Sequence, residues 1–134
     1  MHIDHFDDLL AMARSQPTPQ QLLLVFVRAE LPDDADEAQR QAFEQGSGGA
    51  LTPVFCVDKA ASALPGFAAL CQEAEALGQP WDLVLVAALS AAPGRPLDEA
   101  QIQATLERLV AGVQAGDIGP CLPFDRAGVP LQMA

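Results

Sequence analysis

Positive charge is what this 134-residue sequence lacks most. Seven Lys and Arg stand against 18 Asp and Glu, the formal net charge is −11, and Lys59 is the only lysine. Such a surface repels phosphate backbones and anionic headgroups, so neither a nucleic acid nor a membrane surface is expected as a partner. Tyrosine is absent, and Trp81, the single tryptophan, is expected to anchor packing at the start of a strand. Cysteine is scarce and odd in number: Cys56, Cys71 and Cys121 have no paired spacing. That pattern suits free thiols in a reducing compartment better than a disulfide framework, so a cytoplasmic location is expected. No apolar run approaches the roughly 20 residues needed to cross a bilayer. The opening MHIDHFDDLL has no basic flank and apolar core, so a cleaved secretory signal is not expected.

What is present suits one globular domain, residues 1–134, with half of the residues hydrophobic and 19% charged. Phe6, Leu9, Leu10 and Ala13 share a helical face, with Asp4 as the expected cap and Pro17 and Pro19 as the stop. LLLVFV (22–27), LTPVFCV (51–57) and DLVLVAAL (82–89) read as strands. Runs this continuously apolar suit strands covered on both faces, as in parallel sheets. Phe67, Leu70, Cys71, Ala74 and Leu77 form a second helical stripe ending at Gly78, and DEAQRQAFEQ (36–45) reads as a short helix. Asp98 caps a longer helix whose buried face is Ile102, Leu106, Leu109, Val110 and Val113, with Gly116 as its stop. The tail offers a fourth strand and a turn at Arg126–Gly128.

Several of these features recur. Phe6 and Phe67, Leu9 and Leu70, Leu22 and Leu83, and Val25 and Val86 all lie 61 residues apart. DEAQRQA (36–42) matches DEAQIQA (98–104) at 62, and PVFCVDKA (53–60) matches PCLPFDRA (120–127) at 67. The order is kept throughout, so the chain reads as two helix–strand–helix–strand repeats, about 1–63 and 64–134. Every connection between strands is long and carries a helix, which parallel neighbours require. The expected fold is therefore α/β, a four-stranded mainly parallel sheet of order 2-1-3-4 with helices packed on it. The first and third strands should be central, and Pro123 should mark an edge. A ferredoxin-like α+β arrangement, with the halves paired antiparallel, is the alternative.

Candidate sites are few. Asp58–Lys59 and Asp125–Arg126 are expected just past strand ends, where ligands collect in open α/β sheets. Brought together between the repeats, Lys59 and Arg126 would bind one anionic metabolite, although an acid and a cation also serve simply to end a strand. Cys56 is the one candidate reactive thiol, but it and Cys121 lie among apolar residues without a nearby histidine, which favours buried, inert thiols. GSGG (46–49) leaves a helix and enters a strand, the reverse of a phosphate-binding loop. PDDADE (32–37) lacks calcium-loop spacing, and His2 and His5 lie near the terminus without metal-site spacing. No catalytic triad order, metal motif or dinucleotide fingerprint is present, and no cofactor is expected.

GGALTPVFCVDKA, together with PFDRAGVPL, resembles a family of short proteobacterial proteins often labelled ribonucleotide reductase subunit alpha. A fainter likeness to the secretion-related SseB-type domain lies in LTPVF after its glycine-rich turn. The family resemblance carries no site residues with it. Reductase chemistry needs a thiyl radical, a reducing cysteine pair and a tail pair, more than three scattered cysteines supply. The function expected is a small non-enzymatic interaction or accessory module, homodimeric or bound to another protein. The alternative is a binding protein for a small anionic metabolite held between the repeats.

Overall fold

The structure is a computed structural model, and it describes residues 3–30, 37, 38, 41, 50–92 and 94–131. GSGG, His2, most of PDDADE and most of the DEAQRQAFEQ segment lie outside the described residues; residues 37, 38 and 41 are helical.

Helix α1 spans Phe6–Arg14. Its cap is His5, one residue later than expected. The His5 ring Nδ1 accepts from the Asp7 amide at 3.0 Å, and the Asp8 carboxylate accepts from the His5 amide at 3.1 Å. This reciprocal capping box satisfies amides that a helix start leaves free. Strand β1 follows at Gln20–Glu30 and β2 at Ala50–Ala60. Helix α2 spans Phe67–Ala76, β3 Leu83–Ser90, α3 Glu99–Gln114 and β4 Leu122–Phe124. Asp98 caps α3 as expected, paired in a second capping box with Gln101.

Strand β1 is buried from Leu22 to Val27 because both faces are covered there. Leu22, Leu24 and Phe26 pack with Phe6 and Leu10 of α1 and with Phe67, Leu70 and Ala74 of α2. Leu23, Val25 and Val27 point the other way, onto Ile102, Leu106 and Val113 of α3. The result is a sheet between helical layers. Each fully buried Leu or Val contributes roughly 1.5–3 kcal/mol relative to exposure. Trp81 is 3% exposed and meets Phe26 edge-on at 4.9 Å, so it is the packing anchor the sequence indicates.

The sheet order is β2-β1-β3-β4, so the neighbours are those expected. The directions are not. All three pairings are antiparallel, and the expectation of a mainly parallel sheet is wrong. Continuous apolar runs report two covered faces, which helices on both sides supply here whatever the strand direction. The α2 crossover does join two strands that run the same way, β2 and β3, but β1 lies between them.

The β1–β3 pairing has a particular centre. Leu24 faces Val86 and Val25 faces Leu85, each the 61-residue counterpart of a residue in the other pair. Phe6 and Phe67, also 61 apart, bring their rings to 5.3 Å.

Candidate functional site

The sequence-derived candidates are dispersed rather than gathered. Asp58 and Lys59 lie inside β2, not past its end. Lys59 is aligned with Leu22, on the face carrying α2, and its Nζ meets Glu73 of that helix at 2.9 Å. Asp58 is aligned with Leu23 on the opposite face and accepts from the Gln21 side-chain amide at 2.7 Å. Asp125 closes a turn: its Oδ1 accepts from the Ala127 and Val129 amides at 2.9 and 3.0 Å. Arg126 lies over the Trp81 ring at 5.2 Å. The two aspartates aligned by sequence therefore stand in unrelated surroundings. Lys59 and Arg126 belong to opposite edges of the sheet, three strand spacings or roughly 14 Å apart before any offset along the strands. The strand order does not bring them together.

The three thiols are free and differ in environment. Cys121 is buried beneath α3, and burial pushes its thiol up to about 11. Cys71 packs against the α1/α2 core. Burial and then Glu75 raise its pKa, with Arg126 opposing. Cys56 is exposed, which corrects the expectation of a buried thiol. Its edge strand leaves the side chain uncovered, and its pKa is still raised, first by burial and then by the negative charge of Asp58. None of these thiols has the lowered pKa of an activated nucleophile. Among the described residues, no group of three or more His, Cys, Asp or Glu could hold a metal ion.

The feature that sequence reasoning missed is an unpaired strand edge. Across β1 and β2 the Ala61 amide donates to the Gln20 carbonyl at 2.9 Å. With the register of Leu22 on Lys59, Leu24 on Val57 and Phe26 on Phe55, those pairs exchange the ladder bonds. The peptide groups of Cys56, Asp58 and Ala60 therefore face away from β1, and no described strand pairs with them. Toward the start of β2, a register shift at Phe26/Val27 places Val27 against Pro53, which has no amide proton to give. The open stretch is thus Val54–Ala60. Pro53 is the signal available in the sequence, since a proline inside a strand indicates an edge.

The opposite edge is closed. Beyond β4 the chain turns back so that Pro130 bridges to Phe124 and the Leu131 amide donates to the Pro123 carbonyl at 2.9 Å. His5 secures the turn from the α1 cap: its Nε2 is 3.0 Å from the Ala127 carbonyl, and the Phe6 amide donates to the Gly128 carbonyl at 2.8 Å.

No protein-family model, curated protein or solved structure matches this chain. No helix among the described residues is long and apolar enough to cross a membrane.

Proposed function

We propose that the protein is a non-enzymatic interaction module that self-associates through β2, pairing this strand antiparallel with the β2 of a second copy. The observation that carries this is the row of outward peptide groups at Cys56, Asp58 and Ala60, which no described strand pairs with, whereas the other edge is sealed. An unpaired row of amides and carbonyls is a template for another strand. Because one described edge is open and the other sealed, a two-fold pairing closes at two chains and leaves no edge to extend a filament. A two-fold axis at Val57 sets Cys56 opposite Asp58 of the second copy. It uses Val54–Ala60 only and leaves Pro53 and the bulge outside. An axis at Asp58 would oppose like charges and is disfavoured.

An internal duplication belongs to the same reading. It is supported by the recurring sequence order, by the pairings of Leu24 with Val86 and Val25 with Leu85, and by the contact of Phe6 with Phe67. On this view β2 and β4 descend from one edge strand, and only the second copy acquired a closing turn. A cytoplasmic location fits the three free thiols.

Sedimentation equilibrium tests the proposal. The average mass of the wild type should rise with concentration from 14.1 kDa toward twice that value. Cys56→Pro removes an outward amide without touching the β1 ladder, and it should hold the chain at the monomer mass while the fold persists. A wild type that stays monomeric at millimolar concentration, or a Cys56→Pro variant that dimerises normally, contradicts it.

A further inference from the structure

A cleft of about 500 Å³ opens at the end of the sheet where β1 begins and where β2 and β3 finish. Arg14, at the end of α1, forms part of one wall, and Leu97 and Ile102, before and within α3, form part of another. In a chain with 18 acids and seven cations, none of the described residues lining this cleft is acidic and one is an arginine. Asp58 and Asp98 stand next to lining residues, and each carboxylate is occupied, Asp58 by the Gln21 side-chain amide and Asp98 by the Gln101 backbone amide.

Arg14 is held in place before any ligand arrives. Its Nε donates to the Ala61 carbonyl at 2.9 Å, and Nη2 donates to the Leu64 carbonyl. Nη1 has no protein partner among the described residues, and no described carboxylate pairs with the guanidinium. Pro17, Pro19 and Pro96 also line the cleft, and their fixed φ lowers the entropy lost when the wall is ordered by a ligand. A site of this size whose walls are mostly apolar, with Gln16, Thr18, Gln20, Gln21 and Ser62 beside the oriented Arg14, suits a small molecule.

We propose that the cleft binds a small organic carboxylate, with its apolar body against Leu97, Ile102 and the prolines and its carboxylate on Arg14. This inference does not rest on the strand edge: the cleft and that edge share Ala60, while Arg14, Leu97 and Ile102 lie outside β2. It also replaces Lys59 and Arg126 as the anion partner with a residue absent from the sequence-derived candidates.

The test is an amide chemical-shift titration of the full chain with benzoate, and with benzyl alcohol as the neutral counterpart of similar shape. Benzoate should give saturable shifts at Gln21, Ser62 and Leu97 in the millimolar range, and benzyl alcohol should bind at least about tenfold more weakly. Ser62 is exposed and lines the cleft, so Ser62→Glu adds a repelling carboxylate without disturbing the bonds of Arg14. It should weaken benzoate at least about tenfold with the melting temperature unchanged. Arg14→Lys keeps the charge but loses the fork and should also weaken binding; if it fails to fold, Ser62→Glu still decides. Absence of saturable shifts, equal binding of benzyl alcohol, shifts centred on Lys59 or Arg126, or a Ser62→Glu variant that binds like wild type would each overturn the proposal.

Discussion

Strand β4 gives three residues to β3 and then turns, so that Asp125, Pro130 and Leu131 occupy its outer side. Strand β2 pairs ten of its eleven residues with β1, Val54 being passed over at the register shift, and its outer side meets no described strand. The two are aligned in sequence and sit at corresponding edges, yet among the described residues one is sealed by its own chain and the other is protected only at its start by Pro53 and a bulge. The difference lies in the chain just beyond each strand. A turn stapled by His5 can reach back over β4, whereas Ala61–Leu64 after β2 are tied by Arg14 beneath the end of α1. One edge thus stabilises the monomer, and the other is the edge proposed to join monomers.

The sealed edge should be the more damaging one to disturb. Phe124 is fully buried and touches Phe6 edge-on at 5.5 Å. Phe124→Ala should cost about 3–5 kcal/mol in urea unfolding, by lost transfer energy and by the cavity left behind.

The thiols beside the two edges should separate by rate. Exposed Cys56 should react first with a thiol reagent at pH 8. Cys121, raised to about 11, should react slowest. In the folded protein its intrinsic reactivity should rise about a hundredfold between pH 8 and pH 10, because the reactive thiolate increases tenfold per unit below the pKa. Equal rates for the two residues at pH 8 would contradict this ordering.

Gly128 sits in the sealing turn with φ +81, and a Cβ there would lie 2.5 Å from the His5 Nε2. Gly128→Ala should cost about 1–3 kcal/mol through left-handed strain and displacement of His5. Cys56→Ala on the open edge, measured alongside it, should change stability by less than about 0.5 kcal/mol. The smallest effect concerns salt. Two chains of net charge −11 repel each other, and screening shortens that repulsion, so the dimer Kd should fall a few-fold between about 50 and 500 mM salt. A Kd that rises with salt would indicate attraction between opposite charges instead.

Much of the scaffold is legible in the residues. The stripes form helices with Phe67, Leu70, Ala74, Ile102, Leu106 and Val113 buried and Cys71, Leu109 and Val110 half-buried, whereas Leu77 is exposed beyond its helix end. The runs at 22–27 and 83–89 lie in the two central strands. Strand direction is not legible, because side-chain pattern records which faces are covered and not which way the neighbour runs. The cap is His5 rather than Asp4 because an imidazole nitrogen can accept an amide as a carboxylate does. The sites are harder to read. Pairing Lys59 with Arg126 requires the two strand ends to converge, and antiparallel strands at opposite edges carry them apart. Arg14 gives no local signal, because its orientation comes from the carbonyls of Ala61 and Leu64, 47 and 50 residues away.

Amide hydrogen exchange along β2 at low and high protein concentration tests the central claim most directly. The Val57 amide, bonded to Leu24, should be protected at every concentration, whereas Cys56 and Asp58 should gain protection only as the dimer forms. Fast exchange at Cys56 and Asp58 that persists when the chain is concentrated would show that no second strand docks on this edge.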